Sequence, residues 1–282
     1  MKKILVFCLS VFAINGFSQG YSGDTWAQAK AKGSGTISLA YVETFGFVHK
    51  ENGKLDGLCV DIINDFIKYV DEKKNVKLTS QFVGDGASFK EMYDKVKASK
   101  GGVFGLGNVT ITDERKKEVK FSPPYITNLT FLITQSTVPT LEKMEDLPTT
   151  FGKLTAYTAK GTLNEKRTNE LKQKYFPNVK IILTSNSQET LEKVTAGNGF
   201  AYLDLTFYLE AVQLHKQVKR HPVADRSSEQ YGFVQPMNSD WLPILDEFFK
   251  ANGGYTNSAS YKNILRKHLG EIGVKLLQGS AK

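Results

Sequence analysis

The chain alternates strand-like and helix-like segments in two separate blocks, and this alternation limits the folds open to it. Between residues 36 and 110, β-branched and apolar runs are separated by segments with helical spacing. A second alternating block occupies residues 154–205. Strands that alternate with helices are typical of parallel sheets with helices packed on their faces. The sequence therefore predicts an α/β protein with two sheets.

Local signals place several turns and helix starts inside these blocks. Asn52-Gly53 is typical of a hairpin turn, and Ser88 followed by Glu91 has the pattern of a capping box. Ser185 is predicted to cap the helix after residue 184, with Gln188 as its partner. Cys59 lies among apolar residues, which favours a buried structural thiol over a reactive one.

The first nineteen residues differ from the rest. Lys2 and Lys3 precede an apolar run from Ile4 to Ile14, and small residues follow before Gln19. This order is typical of a cleaved signal peptide, because the run is shorter than the roughly 20 residues that span a membrane. Residues 1–19 are therefore predicted to be a signal peptide, and the mature protein is predicted to be soluble and periplasmic.

Charge argues against nucleic acid as a partner. The formal net charge is +8, and removal of Lys2 and Lys3 leaves +6. The lysines are scattered without interleaved aromatic residues, unlike a nucleic-acid surface. The four histidines are dispersed and show no metal-ligand spacing. The sequence predicts no metal, no cofactor and no catalytic residue.

Arg115 lies just behind a threonine-rich strand end, in a short helix that Thr112 is predicted to cap. A guanidinium held on such a rigid turn can take a carboxylate in two parallel hydrogen bonds, with Thr110 close to the same group. A second interpretation stays open, because Lys116 and Lys117 follow directly and all three could form a solvated basic face.

Two further segments could complete a site for a zwitterion. Gly161-Thr162 precedes a helix, so free N–H groups could meet the same carboxylate, although an ordinary helix cap has this pattern too. Asp204 lies on an apolar strand, where a carboxylate needs a partner such as a ligand ammonium. Alternatively, the Asp204 carboxylate could face solvent at the end of the strand or cap Thr206.

The stretch from Gly105 to Tyr125 resembles the signature of the family 3 extracellular solute-binding proteins, the periplasmic receptors of amino-acid ABC transporters. Asn108 stands where glycine is usual, and its backbone carbonyl could still receive a ligand amine. Similarity extends over residues 36–270. The matching positions are Gly57, Val60, Asp61, Thr110, Thr112, Glu114-Arg115, Phe121-Ser122-Pro123-Pro124-Tyr125 and Asn252-Gly253-Gly254-Tyr255.

This resemblance implies the periplasmic-binding-protein type II fold, with two α/β lobes, a ligand cleft and a two-strand hinge. Lobe 1 would comprise residues 20–128 and 231–282, and lobe 2 would comprise residues 129–230. The protein would be a monomer that captures an amino acid and delivers it to a membrane-embedded ABC permease. It would not be an enzyme.

The resemblance also implies a set of ligand-binding residues. The carboxylate would meet residues of both lobes, and the amine would meet Asn108 and Asp204. Apolar residues would surround the ligand side chain, although each could equally be an ordinary core residue. The predicted ligand-binding residues are Arg115, Thr110, Asn108, Thr162, Gly161, Asp204, Phe89, Tyr41, Val42 and Phe45.

Two other functions stay open. Cyclohexadienyl dehydratases resemble these receptors closely, and such a lyase could work with a single carboxylate as its acid or base. A ligand-sensing module that serves no transport is the other alternative.

Overall fold

The computed structural model of the chain describes residues 20–279. The predicted signal peptide lies outside the described residues. The strands are β1 Ser22–Gly23, β2 Ser34–Tyr41, β3 His49–Glu51, β4 Lys54–Asp56, β5 Lys77–Val83, β6 Lys100–Gly101, β7 Val103–Leu106, β8 Val119–Phe121, β9 Ile126–Gln135, β10 Thr155–Ala159, β11 Ile181–Thr184, β12 Gly199–Asp204, β13 Val218–Arg220, β14 Arg226–Tyr231 and β15 Val234–Pro236. The helices are α1 Trp26–Lys32, α2 Leu58–Lys74, α3 Phe89–Lys97, α4 Asp113–Lys116, α5 Leu147–Thr150, α6 Leu163–Tyr175, α7 Ser187–Lys193, α8 Leu205–Gln213, α9 Leu242–Lys250 and α10 Ala259–Gly279.

The first large sheet has the strand order β5-β2-β7-β15-β8. β2 pairs in parallel with β5 and with β7, as the alternation of strands and helices predicts. β15 pairs antiparallel with β7 and β8, so a segment from late in the chain completes this sheet. Helix α2 covers the sheet with a face that includes the buried residues Ile63, Phe66 and Val70.

The second large sheet has the order β11-β10-β12-β9-β13, and β14 pairs with β9. β10 is parallel to β11 and β12, whereas β9 runs antiparallel to β12. A separate hydrophobic cluster around Phe151 and Phe200 lies on this sheet. The cluster that includes the buried face of α2 contains side chains from both sheets, such as Leu39 of β2 and Phe131 of β9.

Two neighbouring segments carry the chain between the sheets. The chain leaves β8 and enters β9 through residues 122–125, and it returns from β14 to β15 through residues 232–233. The N–H groups of Ser122 and Tyr125 donate to the carbonyls of Phe233 and Tyr231, which ties the two crossings together. This is the predicted two-strand hinge, while the exact lobe boundaries stay a prediction.

Most of the predicted turns and helix caps are present in the structure. Asn52-Gly53 joins β3 to β4, Thr112 caps α4, and Ser88 accepts a hydrogen bond from the Glu91 N–H at the start of α3. The predicted cap at Ser185 is wrong. Asn186 caps α7 instead, because its side chain accepts from the Glu189 N–H.

Cys59, Gly270 and the polarity of the helices are three further features of the fold. Burial raises the pKa of the Cys59 thiol to about 12, which agrees with a structural role. Helix α10 is interrupted at Gly270, whose φ of 65° lies in the left-handed region that glycine tolerates. Among residues 20–279, every helix is too short or too polar to cross a bilayer.

Candidate functional site

A cavity of about 460 Å³ opens between the two sheets. The ends of β2 and β7 and the first turns of α3 and α4 bound it on one side. The ends of β10 and β12 and the first turns of α6, α7 and α8 bound it on the other. Eight of the ten predicted ligand-binding residues line it, namely Val42, Phe45, Phe89, Asn108, Thr110, Arg115, Thr162 and Asp204.

Arg115 is a half-buried cation in the wall of this cavity. The Thr112 hydroxyl accepts from its backbone N–H at 3.2 Å, and its Nη1 donates to the Thr110 carbonyl at 3.0 Å. Its guanidinium carbon lies 5.0 Å from the centre of the Phe89 ring. Burial lowers the pKa of the Arg115 guanidinium. No carboxylate of the described residues forms an ion pair with it.

These contacts decide between the two interpretations of Arg115. Lys116 and Lys117 are exposed, whereas Arg115 turns inward onto Phe89, so the three residues do not form one solvated face. Among the described residues only one guanidinium nitrogen has an acceptor, and the others can donate to an anion. The arrangement provides positive charge and directed donors in a partly desolvated wall.

Asp204 lies at the end of β12 and is 8% exposed. Its Oδ1 accepts from Asn128 Nδ2 at 3.0 Å, Thr130 Oγ1 at 3.1 Å and Asn164 Nδ2 at 3.3 Å. Its Oδ2 accepts from Asn108 Nδ2 at 2.8 Å. The solvent-facing alternative is therefore wrong, and so is the capping alternative, because Asp204 makes no side-chain cap bond to α8.

The role of Asp204 as the partner of a ligand ammonium stays a prediction. Neutral donors of the protein already satisfy Oδ1, whereas Oδ2 accepts one hydrogen bond from the described residues and keeps acceptor capacity. Asn108 was predicted to act through its backbone carbonyl, but its side chain reaches Asp204 directly. Asn108 precedes α4 and Asp204 precedes α8, so this hydrogen bond crosses the cavity from one sheet to the other.

The loop before α6 departs from the prediction. The Gly161 N–H donates to Glu165 Oε2 at 2.6 Å, so the prediction that this N–H is free is wrong, and Gly161 does not line the cavity. The Thr162 hydroxyl donates to the Ala159 carbonyl and accepts from the Glu165 N–H. Thr162 lines the cavity, but its hydroxyl is already used as the helix cap.

The apolar part of the wall contains three of the four predicted side chains. Val42, Phe45 and Phe89 face the cavity. Tyr41 does not, because its ring packs edge-on against Phe82 with 5.8 Å between ring centres. Successive side chains of a strand point to opposite sides, so Tyr41 and Val42 cannot share one face.

Several charged and polar residues of the cavity were missed. Arg167 on α6 pairs with Glu229 and donates to Asn164, and Glu210 on α8 accepts from Gln188 Nε2 at 3.1 Å. Burial raises the pKa of the Glu210 carboxyl. The signal for Glu210 was present, since it is the acidic residue in the otherwise uncharged and mostly apolar run Leu205–Ala211.

One group of side chains has the spacing of a metal site. Among the described residues, ligand atoms of Asp56, Asp61 and His268 lie within 4.8 Å of one another. The Lys267 ammonium is 2.9 Å from Asp61 and supplies positive charge to this group. None of these residues lines the cavity.

Comparison with known sequences gives a consistent result. The family model for bacterial extracellular solute-binding proteins, family 3, matches residues 37–271. A glutamine-binding protein of Geobacillus stearothermophilus is 27% identical over 219 residues, which is 74% of this chain and 75% of that protein. The probable amino-acid-binding protein YxeM of Bacillus subtilis (strain 168) is 29% identical over 164 residues, 57% of this chain and 56% of that protein.

Solved structures with a similar fold include three amino-acid-binding proteins. An ancestral arginine-binding protein bound to arginine has a TM-score of 0.65 at 24% identity, over 83% of this chain and 98% of that one. The arginine-, lysine-, histidine-binding protein ArtJ from Geobacillus stearothermophilus has a TM-score of 0.65 at 20% identity, over 84% of this chain and 96% of that one. The ancestral amino acid-binding protein AncCDT-1, a precursor of cyclohexadienyl dehydratase, has a TM-score of 0.66 at 21% identity, over 86% of this chain and 98% of that one.

Proposed function

Because the chain belongs to the bacterial extracellular solute-binding proteins of family 3 and has the periplasmic-binding-protein type II fold, we propose that it is an amino-acid receptor. It captures the amino acid between its two sheets and delivers it to an ABC permease. The observation that carries this proposal is Arg115, a half-buried guanidinium in the cavity wall without a carboxylate partner among the described residues.

The ligand carboxylate lies on Arg115. Burying a cation is costly unless an anion or hydrogen-bond acceptors compensate, and in the part of the chain that the structure describes the Arg115 guanidinium has only the Thr110 carbonyl as acceptor. A carboxylate placed in this wall accepts two charge-assisted hydrogen bonds from the remaining guanidinium donors. The Phe89 ring on one face of the guanidinium keeps those donors directed toward the cavity.

The ligand ammonium lies on Asp204. Oδ2 has the acceptor capacity for it, and an ammonium there adds the positive charge that the four neutral donors do not supply. Arg115 and Asp204 belong to opposite sides of the cavity, so one zwitterion contacts both. A ligand that satisfies both sides at once favours the closed arrangement of the two lobes.

The setting of this receptor is the periplasm. The predicted signal peptide would export the chain, and residues 20–282 would act as a soluble monomer that meets its permease at the membrane. Fractionation of cells that produce the full chain tests this. The mature protein should be released with the periplasmic contents, shortened at its N-terminus, and recovery of the full-length chain in the cytoplasm would contradict the proposal.

A thermal-shift screen first identifies the amino acid that stabilises the protein most. Calorimetry then measures the affinity of Arg115→Met, and of the control Lys116→Met, for that amino acid. Two charge-assisted hydrogen bonds at about 1.5–3 kcal/mol each correspond to a loss of at least about 100-fold in affinity. Lys116→Met should bind normally, because Lys116 is exposed and forms an ion pair with Asp113 outside the cavity lining. Unchanged affinity in Arg115→Met would remove the carboxylate role.

The ammonium role has its own test. Asp204→Asn should weaken the amino acid more than its des-amino analogue, since only the amino acid places a cation at Oδ2. Equal losses for both ligands would mean that Asp204 holds the neighbouring asparagines in place and does not contact the ammonium.

A lyase on this fold is the second candidate, and the observation that favours it is Glu210. Burial raises the pKa of this cavity carboxyl, which suits a general acid. Incubation with prephenate and arogenate, with product followed by absorbance, separates the two functions. Product formation that disappears in Glu210→Gln would establish the lyase, and tight binding of an amino acid without any product supports the receptor.

A further inference from the structure

Glu210 has a carboxylate oxygen for which the described residues supply no donor. The residue lies on α8 and lines the cavity together with Gln188 on α7. Its Oε1 accepts from Gln188 Nε2 at 3.1 Å, whereas Oε2 is buried and has no hydrogen-bond partner among the described residues. An unsatisfied buried acceptor of this kind is costly and calls for an explanation.

The other carboxylates of the cavity are accounted for. Glu43 forms an ion pair with Lys50 at 2.6 Å, and Asp85 is exposed to water. Asp204 accepts four hydrogen bonds. Like Asp204, Glu210 has no ion pair with any described residue, but of these four carboxylates it is the one with a buried oxygen that has no hydrogen-bond donor among the described residues.

The position of Glu210 fits the far end of a bound ligand. Asp204 immediately precedes α8, and Glu210 follows six residues later, roughly 9 Å further along the helix at 1.5 Å per residue. A ligand whose ammonium lies at Asp204 reaches Glu210 only with a long side chain. Phe207 lies one turn before Glu210 on the same face and also lines the cavity.

We propose that Glu210 selects the side chain of the ligand, and that the ligand is an amino acid with a long cationic side chain of the arginine or lysine type. This rests on the receptor function proposed above. A guanidinium or ammonium at Oε2 supplies both the missing donor and the missing charge. Phe207 and Phe45 line the same cavity, and aromatic rings near a bound group favour cations over neutral groups.

Arginine and citrulline give a matched pair of probes, because they have nearly the same shape and differ in the charge of the terminal group. Calorimetry on the wild-type protein should show arginine binding at least about 10-fold more tightly than citrulline, the range of one charge-assisted hydrogen bond. In Glu210→Gln the affinity for arginine should fall by about 10- to 100-fold, while the affinity for citrulline changes little.

The control variant is Glu192→Gln, which removes a nearby exposed carboxylate on α7 and should leave the preference for arginine intact. Thermal unfolding without ligand should show that Glu210→Gln is at least as stable as the wild type, because a buried charge is replaced by a neutral group of the same shape. If Glu210→Gln nevertheless unfolds, the arginine-to-citrulline ratio of the wild-type protein still decides the matter.

Failure of this inference can be told apart from failure of the receptor function. If a neutral or acidic amino acid binds more tightly than arginine and lysine, and Arg115→Met abolishes that binding, the receptor stands and the role of Glu210 is overturned. Equal losses of arginine and citrulline in Glu210→Gln also overturn it. If no amino acid binds at all, both proposals fall.

Discussion

The buried imidazole of His221 makes the stability of the second sheet sensitive to acid. The side chain is 0% exposed, and its Nδ1 accepts from the Leu141 N–H at 3.0 Å. Nε2 therefore carries the proton and donates to Thr134 Oγ1 at 2.8 Å, since the Thr134 hydroxyl itself donates to the Gln135 carbonyl. Burial lowers the pKa of His221 to about 4, with a further contribution from Lys219.

The lowered pKa fixes the sign and size of the effect. The folded protein holds His221 neutral, while the unfolded chain binds a proton near the ordinary value of 6.5. Keeping His221 neutral therefore contributes to the free energy of unfolding. This contribution is fully present above pH 6.5 and is lost as the pH falls toward the pKa of the folded protein. At about 1.4 kcal/mol per pH unit, the free energy of unfolding should fall by about 3 kcal/mol between these two values.

Urea unfolding of the wild type and of His221→Asn over this range isolates the contribution. Asn offers an oxygen near the position of Nδ1 for the Leu141 N–H but does not titrate. Carboxylates titrate in both proteins, so the difference between the two curves reports on His221 alone. That difference should change by about 3 kcal/mol from about pH 7 to about pH 4.

The control is His215→Asn, which replaces an exposed histidine at a left-handed φ of 52° that Asn tolerates. Its curve should stay parallel to that of the wild type. A constant difference between the wild type and His221→Asn would refute the reasoning. So would an NMR titration of the wild-type protein that gives His221 a pKa near 6.5.

Two further predictions concern stability. Gly57→Ala should destabilise the protein more than Gly53→Ala. Both glycines have left-handed φ, but a Cβ at Gly57 would overlap a backbone carbonyl, whereas space is open at Gly53. Equal unfolding midpoints of the two variants would contradict this. Arg167→Met should cost about 3 kcal/mol in urea unfolding by leaving Glu229 unpaired. Adding Glu229→Gln should recover part of the loss, and an unaffected single variant would refute the pairing.

Local signals in the sequence were sufficient for much of the fold. The Asn52-Gly53 turn and the helix caps at Ser88 and Thr112 depend on residues within a few positions of each other, and the structure has all three. The cap after residue 184 was misplaced by one position, because Ser185 and Asn186 are both good N-cap residues. Only the geometry shows that Asn186 bonds the helix while Ser185 bonds Glu189.

The site was predicted less completely because its hydrogen bonds join distant segments. Spacing placed Arg115 and Asp204 at strand ends, but it could not show that Glu165 occupies the Gly161 N–H. It also could not show that Asn108 extends across the cavity, since that contact joins residues 96 positions apart. The acidic residue in the run Leu205–Ala211 was visible in the sequence, but the buried Glu210 oxygen without a donor among the described residues is a property of the packed structure.

The place of β15 in the first sheet has a consequence for biosynthesis. β15 lies between β7 and β8, and it is synthesised after all strands of the second sheet. A nascent chain that ends before Val234 can complete the second sheet, while β7 keeps a row of unpaired backbone groups and β8 has no neighbour. Such an open edge is prone to pairing with other chains, so the interval before β15 emerges is when this protein most needs to be kept from aggregating.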